Sequence, residues 1–199
     1  MKLIIVDGLD GVGKDTHAQL IKEYYEDKGY SVKTRSHPST DTFFGRNSKK
    51  ALLGQGMLNK IKASMFYALD VLHSIRYYYH RGDHDIIIMV RYLMGTAYLP
   101  TALVKTGYTF FEHFVPTSPY MFFLDAKPET LFKRIQEREN MEIFETLEAL
   151  ERVRIKALSV ATSWNIVDTS GSIEDTAAHI QNMLKLLDKK MEHEDTVSS

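Results

Sequence analysis

No cysteine occurs among the 199 residues. Disulfides, zinc–thiolate sites and thiol nucleophiles are thereby excluded. An excess of one charge is missing too: the formal net charge is -1. A role in coating nucleic acid would want a strongly basic surface, so no nucleic-acid partner is expected. No apolar run reaches the roughly 18 residues needed to span a bilayer, so no membrane insertion is expected. The chain enters a short apolar run within a few residues of its start, without the longer apolar segment and cleavage site of a signal peptide. The expected location is the cytoplasm. Neither an internal repeat nor a low-complexity linker is present, and the eight histidines form no metal-ligand spacing. What remains, 44% hydrophobic and 26% charged residues, is ordinary for one globular domain long enough to bury a full core.

The stretch that organises the chain is its start. Residues 3–6 are aliphatic and read as a buried strand, and a helical pattern begins at Thr16. Between them lie Gly8, Leu9, Asp10, Gly11, Val12, Gly13, Lys14 and Asp15. Gly8, four residues, Gly13 and Lys14 have the spacing of a phosphate-binding loop. Glycines are needed there because the backbone must curl and bring its N–H groups against phosphate oxygens. The following helix directs its positive end at the same phosphates, and Lys14 would bridge the β- and γ-phosphates of a nucleoside triphosphate. One residue departs from the pattern. The position after the lysine calls for a serine or threonine hydroxyl that ligates magnesium, and here it is Asp15.

Further along, residues 16–28 carry helical spacing that ends at Gly29, and residues 31–34 read as a second strand. Residues 35–47 contain His37-Pro38, Asp41 and Gly45 and read as loop; a short helix is expected over 49–58 and a long one over 60–80. Residues 85–90 are an aliphatic run suited to a strand buried on both faces. A helix over 96–105, a strand over 120–124, a helix opened by Pro128, a helix over 144–161, a strand over 164–167 and a helix over 173–191 complete the pattern. Residues 192–199 are expected to form a frayed polar tail. Apolar strands alternating with helices imply an α/β fold, a three-layer α/β/α arrangement around a mostly parallel sheet, with ligands beyond the carboxyl ends of the strands.

With these motifs in order, the chain resembles the thymidylate kinase family, within the P-loop nucleoside monophosphate kinases. Residues 6–14 look like its acidic-glycine phosphate loop, and Phe66 through Asp70 to His73 is similar to its acceptor-base helix, Phe-x-x-x-Arg-x-x-His. Val90-Arg91-Tyr92 sits where the family has Asp-Arg-Tyr. Asp125, Pro128, Arg134 and Arg138 look like the strand and helix entering its lid, and Glu142-Ile143-Phe144-Glu145 falls on its Asp-Arg-Phe-Glu lid element. Arg152 and Arg154 match the helix after the lid, and residues 168–171 lie in the adenine-side loop. The resemblance implies a single P-loop kinase domain over 1–191, with a lid near 138–145. The implied reaction moves the γ-phosphoryl group of ATP, with Mg2+, onto dTMP. ATP would be held by Asp10, Gly11, Val12, Gly13, Lys14, Asp15 and Thr16. The acceptor would meet Asp10, Phe66, Asp70, Arg91, Tyr92 and Tyr98. Lys14, Arg91, Arg134 and Arg138 would carry the catalytic charge. A homodimer through the apolar face of the helix after Lys60 is also implied, although that face is equally suited to packing on the sheet.

Four departures matter: Asp15 for the magnesium hydroxyl, Val90 for a carboxylate, Asp70 for an arginine that reads thymine, and Ile143 for a lid arginine. Asp15 is therefore a candidate direct magnesium ligand. If Asp70 faces the base it accepts hydrogen bonds, which favours an exocyclic amine; dCMP, CMP, a purine nucleotide or a small metabolite is then an alternative acceptor. A one-residue offset would place Val71 there instead. A nucleotide-binding protein without catalysis is the alternative from another class. The blander readings are a core role for Phe66, an Asp70–His73 surface pair, and an exposed basic face for Arg134 and Arg138.

Overall fold

The computed structural model of the chain describes residues 1–54, 56–137 and 146–197. Among the described residues five strands form one sheet: β1 (Lys2–Gly8), β2 (Val32–Ser36), β3 (Ile86–Val90), β4 (Met121–Asp125) and β5 (Asn165–Asp168). Their order is β2-β3-β1-β4-β5, and every neighbouring pair is parallel. The central strands are largely apolar because helices cover both faces; all five residues of β3 are aliphatic and buried. Around the sheet lie α1 (Lys14–Glu26), α2 (Phe43–Leu52), α3 (Met57–Ser74), α4 (Thr101–Phe114), α5 (Pro128–Gln136), α6 (Leu147–Val160) and α7 (Ile173–Val197). The three-layer α/β/α arrangement expected from the sequence is present, with a wholly parallel sheet. Among the described residues no helix is long and apolar enough to cross a membrane.

The chain leaves β1 toward one side of the sheet, to β2, and leaves β3 toward the other, to β4. The crevice beyond the carboxyl ends of the adjacent β1 and β3 is where such a topology gathers ligands. At the opposite end of the sheet, Lys2 Nζ donates to Asp188 Oδ1 at 2.5 Å, and the hydroxyls of Tyr25 and Tyr120 donate to the same carboxylate at 3.1 and 2.8 Å. This pins α7 to the sheet's foot and leaves the crevice open.

Several boundaries differ from expectation. The stretch read as loop to residue 47 turns helical at Phe43, after Thr42 caps α2 by accepting from the Gly45 N–H. Gly45 reads as a breaker, yet it serves close packing: a Cβ there would lie 2.2 Å from the Ser39 carbonyl oxygen. The helix expected over 96–105 is two pieces, a 3-10 turn (Met94–Tyr98) and α4. They part at Leu99, whose extended backbone (ψ 159°) is what a following proline favours. α3 runs on into a π turn (Ile75–Tyr79). The expected frayed tail is instead helix to Val197, aided by an i,i+4 pair of Lys190 and Glu194 at 3.8 Å. The lid expected near 138–145, with Arg138 and Ile143, lies outside the described residues.

Candidate active site

The loop joining β1 to α1 is shaped by glycine at two positions, one for lack of space and one for a left-handed backbone. At Gly8 (φ 145°) a Cβ would lie 2.3 Å from the Leu124 carbonyl oxygen. Gly13 caps α1 in the left-handed region (φ 85°), and no side chain caps that end of the helix. The first-turn N–H groups of α1 are thus left for an anionic ligand, with the helix dipole behind them. Lys14 is buried, and its Nζ donates to the carbonyl oxygens of Gly8 at 2.9 Å and Leu9 at 2.6 Å and lies 3.4 Å from Asp10 Oδ1. Thr16 is exposed in the first turn of the helix.

Facing this loop across the crevice stands Arg91, the first residue after β3. Its backbone is left-handed (φ 55°), an uncommon conformation without glycine and one that clusters at functional sites. The turn throws the side chain outward over the loop. Nη1 donates to Asp15 Oδ2 at 2.9 Å and Oδ1 at 3.2 Å, and to Ser36 Oγ at 3.1 Å. Nη2 lies 3.7 Å from Asp10 Oδ1. The Tyr98 hydroxyl donates to Asp10 Oδ2 at 3.4 Å. Asp10, Lys14, Asp15, Arg91 and Tyr98, all singled out by the sequence, therefore meet in one place.

Asp7 holds the other side of the crevice. Its carboxylate accepts from the N–H groups of Gly8, Tyr92, Leu93 and Met94 at 2.8–3.0 Å, which fixes the chain leaving β3 and with it the start of Arg91's turn. Replacing Asp7 with alanine leaves these buried donors without a partner. The expected loss of stability is about 3 kcal/mol or more, read from urea unfolding. A change under about 0.5 kcal/mol would mean that the segment holds itself.

The charges reinforce one another. Burial tends to raise the Asp10 and Asp15 carboxyls, but Lys14 and Arg91 outweigh it at Asp10 and Arg91 does so at Asp15; both end below the ordinary value. Burial draws the Lys14 ammonium down against the pull of Asp10. At Arg91 burial is outweighed by Asp15 and Asp10, so its guanidinium is held above its ordinary value. Burial, with Arg134 nearby, lowers His17.

Two expected acceptor residues, Tyr92 and Asp70, are turned inward instead. Tyr92 is fully buried and its hydroxyl donates to the Pro116 carbonyl oxygen at 3.0 Å, because the left-handed turn at Arg91 sends the next side chain into the core. Asp70 is fully buried and accepts from Ser39 N at 2.6 Å, Ser39 Oγ at 2.8 Å and Thr42 Oγ1 at 2.5 Å. It anchors the loop after β2 with both oxygens bonded to Ser39 and Thr42, so it offers no free acceptor for the exocyclic amine of cytosine or a purine. Nor is Asp70 the surface partner of His73. Phe66 packs edge-on against Phe43, ring centres 6.2 Å apart. Its neighbour Tyr67 touches the segment after β3: its hydroxyl donates to the Arg91 carbonyl oxygen and its ring borders Gly95. The reader position one turn on is then Val71, the offset alternative, which is fully buried.

Ser36, Tyr67 and Asp7 carried no assigned role in the sequence. Ser36 lies just past the expected end of its strand, and Tyr67 differs from the expected position by a single residue. Arg134 Nη2 donates to the Thr169 carbonyl oxygen at 2.8 Å, on the loop after β5. Arg154 clasps Asp125 through two bonds of 2.7 Å, closing the rim beyond β4.

The geometry can be set beside known proteins. A family model described as thymidylate kinase matches residues 6–180. A probable thymidylate kinase of Pyrococcus horikoshii is 27% identical over 195 residues, covering 92% of this chain and 95% of that protein. A probable thymidylate kinase of Archaeoglobus fulgidus is 26% identical over 192 residues, covering 92% and 94%. Another, probable thymidylate kinase 1 of Saccharolobus solfataricus, is 28% identical over 199 residues, covering 96% and 98%. A match running from the phosphate loop to the last helix, over a fold with the crevice where that loop meets Arg91, places this chain in the thymidylate kinase family.

Proposed function

We propose that the chain transfers the γ-phosphoryl group of ATP to dTMP, giving dTDP and ADP. The observation that carries this reading is the opposition of two cationic sites, Lys14 in the loop and the Arg91 guanidinium across the crevice. ATP phosphates would lie on the loop N–H groups and Lys14, and the acceptor phosphate on Arg91. An acceptor phosphate oxygen attacks Pγ, the bond from Pγ to the β-bridging oxygen breaks, and ADP leaves with the electron pair. Such a transfer rests on alignment and charge neutralisation rather than a covalent intermediate. In this reading Asp10, with Tyr98 bonded to it, would meet the acceptor sugar, and Phe66 or its neighbour Tyr67 would give the aromatic surface for the base.

The residues present also suit Mg2+. Asp15, Asp10, Ser36 and Thr16 supply hard oxygen donors, while no group of three or more histidines or carboxylates able to hold a metal occurs among the described residues. Magnesium commonly takes one or two carboxylates and completes its shell with substrate phosphates and water. Bound there, the ion would neutralise charge on the donor phosphates.

A homodimer belongs to the same reading. α3 turns Ala63 and Val71 inward and exposes Leu58, Ile61, Met65, Leu69 and Leu72 on a second apolar face suited to a copy of itself.

The test is a panel of nucleoside monophosphates with MgATP, each assayed for ADP and for phosphorylated product. dTMP is expected to give both at the highest kcat/KM. A higher value with dCMP or a purine nucleotide would move the acceptor assignment. Thermal stabilisation by ATP without ADP release under any acceptor would make the chain a binder rather than a kinase.

A further inference from the structure

Asp15 departs from the phosphate-loop pattern, and its partner in the structure is the guanidinium that the reading above assigns to the acceptor. We propose that Asp15 gates Arg91, so that the acceptor phosphate binds well only after the metal-bound donor has drawn the carboxylate away. The inference rests on the assignment of Arg91 to the acceptor phosphate.

Arg91 Nη1 is bound to both Asp15 oxygens, at 2.9 and 3.2 Å, and to Ser36 Oγ at 3.1 Å. Ser36 Oγ in turn donates to Asp15 Oδ1 at 3.0 Å. The triangle ties the first turn of α1, the end of β2 and the end of β3, three segments that ring the crevice. On the other side of the guanidinium, Asp10 Oδ1 lies 3.7 Å from Nη2. Nη1 is therefore taken up by a carboxylate of its own chain, and a second carboxylate lies near Nη2.

Lys14 and Arg91 carry two positive charges against the carboxylates of Asp10 and Asp15, with Asp7 behind them, so the cluster has no positive charge to spare. A dianionic acceptor phosphate entering this cluster either displaces Asp15 from Nη1 or takes the other edge of the guanidinium, and in both cases it lies a few ångströms from a like charge. A phosphate loop with serine or threonine at this position presents no such competitor. Once a divalent cation and the donor phosphates are present, Asp15 has a stronger partner than Arg91, because a divalent ion outbids a single guanidinium for an oxygen ligand. The guanidinium is then free to turn its fork to the acceptor. Binding of donor and acceptor becomes positively coupled, and coupling acts equally in both directions: the acceptor tightens the metal-bound donor by the same factor.

A rival role is that Asp15 simply orients Arg91 for the acceptor, in which case removing its charge weakens acceptor binding. The two roles differ in sign. Calorimetry on the full chain separates them, with dTMP titrated into free protein and into protein saturated with Mg2+ and a non-hydrolysable ATP analogue, and inorganic phosphate titrated in parallel. In the native chain the donor complex is expected to tighten dTMP by about tenfold. Asp15→Asn is expected to tighten dTMP and phosphate in the free protein by a similar factor and to bring the coupling to about one. Unchanged or weakened binding by the free Asp15→Asn protein, or full coupling retained in it, would overturn the gate while leaving dTMP as acceptor. Failure of dTMP to bind at all, with phosphate still tightened by Asp15→Asn, would uphold the gate and remove dTMP as the acceptor.

Discussion

Replacing Arg91 with alanine is expected to lower kcat/KM for dTMP by about two to three orders of magnitude, the usual effect of deleting a preorganised group that meets charge developing in transfer. The loss should fall on both constants, because the guanidinium holds the acceptor phosphate before transfer and aligns it during transfer. Its backbone makes the position hard to imitate. The left-handed turn (φ 55°) is supported by Asp7 on the N–H groups that follow and by Tyr67 on the Arg91 carbonyl. Arg91→Lys keeps the charge but not the two-pronged geometry, so it should recover only part of the loss. Thermal unfolding of Arg91→Ala should change little, since the pairs it forms are partly solvent-exposed and such pairs contribute on the order of 1 kcal/mol or less. A variant with full kcat/KM would place the acceptor phosphate elsewhere.

Replacing Lys14 with alanine is the second large effect, again about two to three orders of magnitude in kcat/KM, here measured against ATP. In the free protein the ammonium is buried against the carbonyl oxygens of Gly8 and Leu9, inside the loop where the donor phosphates would lie. A phosphate oxygen would take over contacts that the loop's own carbonyls make, so little reorganisation is needed on binding. Burial depresses the ammonium's pKa, and the neighbouring Asp10 works against that. The variant should also lose about 1–3 kcal/mol of stability, because two buried carbonyls lose their donor. Activity must therefore be measured well below the unfolding temperature. Retention of ATP affinity in a folded Lys14→Ala protein would contradict the assignment.

The parts of the molecule legible in its sequence are those set by local pattern. Aliphatic runs marked β1, β3 and β4, and the glycine spacing marked the loop, because strand burial and tight backbone curvature each demand particular residues in a row. The parts that were not legible depend on partners distant in the chain. Asp70 looked like a group turned to ligand, and only the folded chain brings Ser39 and Thr42 to it, some thirty residues away. Tyr92 looked like a neighbour of Arg91 in the crevice, but a non-glycine left-handed turn, which no sequence rule predicts, reverses its direction. Phe66 and Tyr67 are adjacent aromatics on one helix, and the roughly 100° between them decides which one reaches Arg91. Gly45 reads in sequence as a breaker, because glycine signals both turns and close packing and only the folded chain shows the second.

The central claim is that one continuous path of phosphates runs from the loop at Lys14 to the guanidinium of Arg91. The most direct measurement is the affinity, with Mg2+, of a compound in which adenosine and thymidine are joined through a chain of five phosphates. Binding far tighter than ATP or dTMP alone, and weakened both by Lys14→Ala and by Arg91→Ala, is the expected result. Binding no tighter than ATP, and indifferent to Arg91, would contradict it.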